Sequence, residues 1–272
     1  MSRPFALVST LALILAACED DALNRLPEEP PAPDAGVAPP PPDAGFTEPD
    51  AGIAPAREAI YVNTGDTLFS YDQSTNLATP IGAFMSDRGP VTDMADIAID
   101  LEGRMFGGSV TQEVWQIDPA TARCTLRFAF DDRLNGLTFL ADGTLVVAGD
   151  RVSLVEPTSG RVIRELVGID QYQTSGDIVG LPDGMLYWTV RGGQNEMSDL
   201  VVRLDPNTGR ATELGLAGVE RIYGLGYAES VLYGFSRDGV VVRLDPRNGE
   251  VMRQQSLSQR WWGATTNPVR WP

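Results

Sequence analysis

The chain of 272 residues contains 21 basic residues, all of them arginine, and 37 acidic residues, so its formal net charge is −16. Because lysine and histidine are absent, the sequence excludes Ser-His-Asp and Cys-His triads, HExxH zinc sites, P-loops and lysine Schiff bases. The acidic balance also predicts that the protein does not bind nucleic acid, because such binding depends largely on a basic surface.

Residues 1–17 have the organisation of a secretory signal peptide. Arg3 supplies a positive charge, and an apolar run over 5–17 is shorter than the roughly 20 residues that span a bilayer. The order Leu-Ala-Ala-Cys at 15–18 resembles a bacterial lipobox. That resemblance implies a lipoprotein in which Cys18 is acylated and becomes the mature N-terminus. The alternative is an ordinary signal peptide followed by a chance cysteine.

The lipobox resemblance also bears on location. Two or three acyl chains on one residue hold a protein stably at a membrane. Glu19 and Asp20 do not match the aspartate at the next position that retains lipoproteins of enteric bacteria in the inner membrane. We therefore expect the bacterial cell envelope, and the outer rather than the inner membrane. With Cys18 acylated, Cys124 is the remaining thiol and is expected to be a packed residue rather than a nucleophile.

Residues 18–58 are predicted to form a disordered, acidic, proline-rich tether. The segment Pro-Asp-Ala-Gly occurs at 33–36, 42–45 and 49–52. Such a composition buries too little apolar surface to offset chain entropy, and its prolines extend it. Ten acids and two arginines over 19–58 give a net charge of −8, which favours a spacer that holds a domain away from an anionic surface. The alternative is a partner-binding role for the Pro-Asp-Ala-Gly copies.

From residue 59 onward, a short strand closed by an acidic turn recurs five times. The copies span 68–76, 114–122, 152–160, 201–209 and 241–249, and their turn acids are Asp72, Asp118, Glu156, Asp205 and Asp245. The acid can accept backbone N–H bonds, and a late Gly or Asn tolerates a left-handed conformation. These acids are therefore predicted to be structural.

A further pair of strands precedes four of these turns, and its innermost members begin at Asp96, Gly136, Asp177 and Gly224. The first copy lacks this opening strand, but residues 262–268 supply one after the fifth copy. Four antiparallel strands about every 40 residues, with no helical period, are typical of a propeller blade. The sequence therefore predicts an all-β, five-bladed propeller over 59–272, closed by its C-terminal strand.

Three short motifs resemble the YVTN/NHL-type and quinoprotein-like propeller repeats of secreted bacterial proteins. They are Ala-Ile-Tyr-Val-Asn-Thr at 59–64, Leu-Pro-Asp-Gly at 181–184 and Leu-Asp-Pro-Asn-Thr-Gly at 204–209. The resemblance implies only the fold, because such repeats occur in binding proteins, scaffolds and enzymes. Streptogramin-lyase-like propellers need a histidine that is absent here. Regucalcin/gluconolactonase-like propellers have six blades and a metal set that this sequence matches only in fragments.

The loops before the innermost strands share a face with the loops between the second and third strands. Insertions at 84–93, 128–134, 168–175 and 191–198 fall on that face, which predicts a binding surface. Aligning the innermost strands brings polar, aromatic and basic side chains to the channel mouth. The candidate ligand-binding residues are Asp96, Asn135, Asp177, Tyr223, Trp261, Trp262, Arg133, Arg221 and Arg260.

Several chemistries fit these residue types. Asp96, Asn135 and Asp177 are hard oxygen ligands that would suit calcium, or the two carboxyls could act as acid and base, as in five-bladed glycosidases. The aromatic rings could stack on a sugar and the arginines could bind a carboxylate. In the structural alternative, the aspartates bond backbone amides, the tryptophans pack between blades and the arginines are solvated. No catalytic residue, metal site or cofactor is assigned, although Asp96 and Asp177 are the nearest metal candidates.

Together these patterns favour a monomeric, lipid-anchored envelope lipoprotein. Its propeller is expected to be a non-catalytic binding or scaffold module for an envelope protein, another macromolecule or a glycan. One alternative is a metal-dependent hydrolase or lyase that uses Asp96 and Asp177. A purely structural component of an assembly is another.

Overall fold

A computed structural model of the chain describes residues 53, 55–192 and 197–271, whose regular secondary structure is almost entirely β-strand. The predicted signal peptide, Cys18 and nearly all of the predicted tether lie outside the described residues. Within the described ranges, the only helix is a 3-10 turn at Pro268–Arg270. None of these residues belongs to a helix with the length and apolar character of a membrane span.

Twenty-two strands make up the described fold. In chain order, the strands up to Glu165 are β1 (Ile60–Asn63), β2 (Thr67–Asp72), β3 (Leu77–Ala83), β4 (Met85–Ser86), β5 (Gly89–Pro90), β6 (Met94–Ile99), β7 (Met105–Ser109), β8 (Glu113–Ile117), β9 (Cys124–Ala129), β10 (Gly136–Phe139), β11 (Leu145–Ala148), β12 (Val152–Val155) and β13 (Val162–Glu165). The strands that follow are β14 (Thr174–Gly180), β15 (Leu186–Arg191), β16 (Asp199–Leu204), β17 (Ala211–Leu216), β18 (Ile222–Ala228), β19 (Val231–Ser236), β20 (Val240–Leu244), β21 (Val251–Ser256) and β22 (Gly263–Thr266).

The strands form five four-stranded antiparallel sheets and one small hairpin, β4–β5. Blade 1 has the order β22-β1-β2-β3, and blades 2 to 5 are β6 to β9, β10 to β13, β14 to β17 and β18 to β21. The innermost strands β22, β6, β10, β14 and β18 each pack against the next around a common axis. The prediction of a five-bladed propeller is confirmed.

The ring closes between the two ends of the domain, as predicted, because β22 pairs antiparallel with β1. Closure also has an apolar component. Trp261, which is fully buried, lies edge-on against Phe69 of blade 1 and Phe235 of blade 5, with ring centroids 5.5 and 6.1 Å away. Hydrogen bonds and aromatic packing therefore join the last strand to both of its neighbouring blades.

The core lies between adjacent blades. Strands β7 and β11 are buried along their whole length because neighbouring blades cover both of their faces, whereas the outer strand β13 is exposed throughout. Phe106 and Phe139 meet between blades 2 and 3 with ring centroids 5.3 Å apart. Each fully buried large apolar side chain contributes about 1.5–3 kcal/mol, so inter-blade packing is the main source of stability.

The five repeated turns have the predicted structure. In each of them the acid accepts the backbone N–H of the residue two positions later, and the later left-handed position has φ between 58 and 74°. Hydrogen bonds from Ser74 lower the pKa of Asp72 to about 2, and hydrogen bonds from Ser159 and Thr158 lower that of Glu156 to about 2. The structural role of the turn acids is confirmed.

Cys124, the thiol of the described domain, is buried in the core. Its Sγ donates to the carbonyl oxygen of Ala122 at 3.5 Å, and burial raises its pKa to about 12. The thiolate, which is the nucleophilic form, is therefore disfavoured. The prediction that Cys124 is a packed residue is confirmed.

Candidate functional site

The loops that precede the innermost strands lie on one face of the ring, which we call the loop face. The loops between the second and third strands of each blade reach the same face, because successive strands are antiparallel. Of the predicted insertions, residues 84–93 contain the hairpin β4–β5, and residues 193–196 of the insertion at 191–198 lie outside the described residues. The loop face therefore carries the most elaborate connections.

A cleft of about 590 Å³ opens between blades 3 and 4 on the loop face. Trp188, which is 3% exposed, lies on the cleft floor, and its Nε1 donates to Thr174 Oγ1 at 3.2 Å. Tyr172 packs edge-on against this indole at 6.2 Å between centroids, and its hydroxyl donates to Glu213 at 3.2 Å. Both aromatic side chains are thus held in place by defined contacts.

Charged side chains surround the opening of the cleft. Arg133 pairs with Asp150 at 3.7 Å, and Arg151 pairs with Asp132 and Glu165. Exposed ion pairs of this kind contribute about 0–1 kcal/mol, so a polar ligand can replace them at little cost. Arg191 also lines the cleft, and it makes no ion pair with the part of the chain that the structure describes.

Two predicted site residues, Arg133 and Asn135, line this cleft. The backbone N–H of Asn135 donates to Ala148 at 3.0 Å, which fixes the start of β10 and leaves the half-buried side-chain amide at the cleft. The sequence pattern does not indicate the aromatic pair of the cleft. Trp188 lies in the second strand of its blade rather than in the innermost strand, so aligning innermost strands does not find it.

Tyr223 and Trp262 meet at a second location, around Arg237. The Arg237 guanidinium lies 4.9 Å from the Trp262 ring centroid and 5.9 Å from that of Tyr223. Gly65 also packs against the indole, since a Cβ there would lie 3.5 Å from the ring. These two aromatic side chains therefore hold an arginine of their own chain, which the sequence pattern does not reveal.

The remaining predicted residues have separate locations. Arg260 lines a shallow depression of about 410 Å³ with Trp262, and Arg221 pairs with Asp238. Trp261 is in the core, where its burial keeps it from contacting a ligand on the face. The predicted residues therefore lie at separate places, which are the cleft, the surroundings of Arg237, an exposed ion pair, the core and the axis.

Asp96 and Asp177 lie at the axis of the ring and are 1% and 0% exposed. Asp96 Oδ2 accepts the backbone N–H of Leu137 in blade 3 at 2.6 Å. The oxygens of Asp177 accept the N–H groups of Ile178 and of Leu225, the latter in blade 5. Each aspartate thus bonds a backbone amide of the following blade, as the structural alternative expects.

Glycines make room for the two carboxyl groups. A Cβ at Gly263 would lie 2.4 Å from Asp96 Oδ1, and a Cβ at Gly136 would lie 3.2 Å from the Asp177 Cα atom. Asp96 and Asp177 belong to blades 2 and 4, yet they are close enough that, in addition to burial, the negative charge of Asp177 raises the pKa of Asp96. Only residues without a side chain fit at these two ring positions.

The axis does not suit calcium, which takes 6–8 oxygen ligands. Both oxygens of Asp177 are already bonded to backbone N–H groups, while Asn135 lines the cleft and makes no hydrogen bond to either aspartate. Throughout the described ranges, no three carboxylate or thiol side chains form a group that could hold a metal ion. The buried carboxyls are also out of reach of a substrate on the loop face.

The ring and the cleft define the described domain as a five-bladed β-propeller with a polar, partly aromatic cavity on its loop face. The sequence matches no known protein-family model and no curated protein.

Proposed function

We propose that the protein is a monomeric, lipid-anchored envelope lipoprotein, more specifically of the outer membrane, with a YVTN/NHL-type propeller that binds a glycan without catalysis. The cleft between blades 3 and 4 carries this proposal. Its volume of about 590 Å³ falls within the roughly 300–1,000 Å³ typical of small-ligand sites. A protein partner is the alternative ligand class. It would need about 800 Å² of complementary surface on each side, which extends well beyond a small-ligand cleft.

The cleft offers both kinds of contact that a sugar uses. Tyr172, which is half-buried and held by its contact with the buried Trp188, supplies aromatic surface at a defined position, and the Asn135 amide and Arg191 guanidinium supply hydrogen-bond donors. Amide and guanidinium groups bond hydroxyl or carboxylate oxygens, and aromatic rings pack on the apolar faces of sugar rings. An uncharged or acidic oligosaccharide is therefore the ligand class that the lining fits.

The location of the carboxyls argues against a hydrolase or lyase. Glycoside hydrolysis uses two carboxyl groups on either side of the scissile bond, where both contact the substrate. Asp96 and Asp177 are sealed at the axis, and the rim acids Asp150 and Glu165 pair with arginines. A binding role needs no free carboxyl group, so it is compatible with the buried aspartates and with the ion-paired acids of the rim.

A glycan array tests the binding proposal. The full-length chain with Cys18→Ser, which removes the predicted lipid, is applied to envelope polysaccharides and their oligosaccharide fragments. We expect a bound glycan whose affinity falls at least tenfold in Asn135→Ala and Arg191→Ala and is unchanged in Arg253→Ala, an exposed control on β21. Equal binding by all variants would exclude the cleft.

Photo-crosslinking separates a protein partner from a glycan. A photoreactive side chain at Val167, which is 74% exposed at the cleft rim, is compared with one at Thr158 on the opposite face. A defined protein recovered only from position 167, with no glycan bound on the array, would replace the glycan proposal with a protein-binding role.

Fractionation tests the membrane part of the proposal. The native chain should sediment with outer-membrane fragments, and the Cys18→Ser chain should be soluble. A Cys18→Ser chain that stays with the membrane would contradict lipid anchoring.

A further inference from the structure

Three polar side chains meet at the axis, and we call Asn63, Asp96 and Asp177 the axial cluster. The amide nitrogen of Asn63 donates to the carbonyl oxygens of Thr64 and Met94, both at 2.9 Å. Because carbonyl oxygens only accept, these bonds fix the orientation of the amide. Its Oδ1 is buried and has no hydrogen-bond partner among the described residues.

Asp96 has the same deficit. Its Oδ2 accepts a backbone N–H, but its Oδ1 is buried and without a partner among the described residues. A Cβ at Gly263 would lie 2.4 Å from Asp96 Oδ1 and 2.6 Å from Asn63 Oδ1, so both oxygens face the same small space. The carboxyl group of Asp177 is a further acceptor nearby, and its negative charge acts on Asp96. Acceptors therefore surround Asp96 Oδ1, and no donor from the described part of the chain reaches it.

The axis also lacks a compensating positive charge. Strands β1, β6, β7, β10, β14, β18 and β22 surround it, and Asp96 and Asp177 are the only charged residues among them. Their other titratable groups are the phenols of Tyr61, Tyr223 and Tyr227. Two ionised carboxylates would therefore be buried side by side without a cation, which is strongly unfavourable.

The two carboxyls differ in what their oxygens bond. Both oxygens of Asp177 accept backbone N–H groups, so Asp177 is suited to be an ionised, acceptor-only carboxylate. Only Asp96 has a free oxygen that can carry a hydrogen and donate it. Burial and the neighbouring negative charge of Asp177 raise the pKa of Asp96 well above its usual range, which agrees with this geometry.

We propose that the folded ring binds one proton at its axis, on Oδ1 of Asp96, so that Asp96 is a neutral acid and Asp177 is a carboxylate at pH 7. The hydroxyl group of the protonated Asp96 is then the hydrogen-bond donor for the neighbouring acceptors, which include the unpartnered Oδ1 of Asn63. Asn63, Asp96 and Asp177 bond to backbone groups of blades 2, 3 and 5, so this proton lies in a set of polar contacts that link neighbouring blades at the axis.

The charge of the folded chain tests the assignment. In Asp96→Asn the amide replaces a neutral acid, its Nδ2 can donate where the hydroxyl did, and its oxygen still accepts from Leu137. The electrophoretic mobility of the folded chain at pH 7 should therefore be unchanged in Asp96→Asn and should shift by one charge in the exposed control Asp87→Asn. In urea, both variants should shift by one charge. A full charge shift for folded Asp96→Asn would overturn the proposal.

Stability supplies a second comparison. We expect Asp96→Asn to unfold at the same or a higher urea concentration than the parent chain. Asp177→Asn should unfold at a lower concentration, because its amide hydrogens would face a backbone N–H group that needs an acceptor. The reverse order would place the proton on Asp177 and overturn the assignment.

A measurement on the parent chain does not depend on either variant. Unfolding at pH 7 in unbuffered solution, followed with an indicator dye, should release one proton per chain. No release would overturn the proposal. A cation seen by native mass spectrometry in the parent chain and lost in Asp96→Asn would also overturn it, in favour of a metal at the axis.

Discussion

The axis and the cleft between blades 3 and 4 are both polar, but the polar groups of the axis bond to the protein itself and those of the cleft are open to a ligand. At the axis, Asp96 and Asp177 are sealed and their oxygens bond backbone amides of neighbouring blades. In the cleft, Asn135 and Arg191 face an open volume of about 590 Å³. Residues near the same channel mouth therefore divide into those that hold the ring together and those that are available to a ligand.

The difference arises from register along the innermost strands. Asn135 and Gly136 are adjacent, yet the first lines the cleft and the second packs against Ile178 and Asp177 at the axis. Trp261 and Trp262 repeat the pattern, since the first is in the core and the second is on the loop face. Of two neighbouring residues, one therefore packs inside the ring and the other is accessible to a ligand on the loop face.

The two tryptophans give the largest expected contrast. Trp261→Ala should lower the free energy of unfolding by about 3–5 kcal/mol, because it removes a buried aromatic side chain between blades 5 and 1. Trp262→Ala should lower it by about 1 kcal/mol or less, since a partly exposed cation–π contact is worth that much. Urea unfolding measures both losses, and equal values would contradict the assignment of Trp261 to the core and of Trp262 to the loop face.

Gly263 tests how closely the axis is packed. Gly263→Ala should destabilise the domain by about 3 kcal/mol, because the new methyl group would overlap Asp96 and Asn63. Gly215→Ala is the matched control on an outer strand, where the nearest atom would be 3.4 Å away, and it should change stability by about 0.5 kcal/mol or less. A harmless Gly263→Ala would mean that the axial cluster is loosely packed.

The bound proton makes stability depend on pH in a defined direction. The pKa of Asp96 is raised in the folded state, so above about pH 4 the folded chain holds a proton that the unfolded chain has released. The contribution of this proton to the free energy of unfolding is complete below the pKa of Asp96 in the unfolded chain. It is lost as the pH rises through the pKa of Asp96 in the folded chain. From pH 5 to 8, until that folded pKa is reached, the parent chain should lose about 1.4 kcal/mol per pH unit relative to Asp96→Asn. Parallel curves would contradict the assignment.

The smallest expected effects on stability lie in the cleft. Arg191→Ala and Asn135→Ala should each change the free energy of unfolding by about 0.5 kcal/mol or less, because these side chains make few internal contacts. A loss of more than about 1.5 kcal/mol in urea unfolding would show that these two side chains stabilise the fold.

Local patterns in the sequence carry most of the fold. The five acidic turns and the C-terminal closing strand are predictable because each depends on turn chemistry within a few residues or on a repeat. The cleft is less predictable. Tyr172 lies in the loop before β14 and Trp188 in β15, so their contact depends on how that loop folds over the second strand. Arg237, which follows the second strand of blade 5, likewise reaches Tyr223 and Trp262 only in three dimensions.

The axis shows the same limit. The alignment of innermost strands places Asp96 and Asp177 near each other, but it does not indicate Asn63, which lies in the second strand of blade 1. Nor does it indicate that Asp177 has both oxygens bonded while Asp96 has one free. The charge state follows from hydrogen bonds between blades, and these are visible only in three dimensions.

The most direct test of the division between cleft and axis is the affinity of an array-selected oligosaccharide for three chains that carry Cys18→Ser. These are the parent chain, Asn135→Ala and Asp96→Asn, measured by titration calorimetry at pH 7. We expect Asn135→Ala to bind at least tenfold more weakly and Asp96→Asn to bind as the parent does. Loss of binding in Asp96→Asn together with full binding in Asn135→Ala would contradict the account.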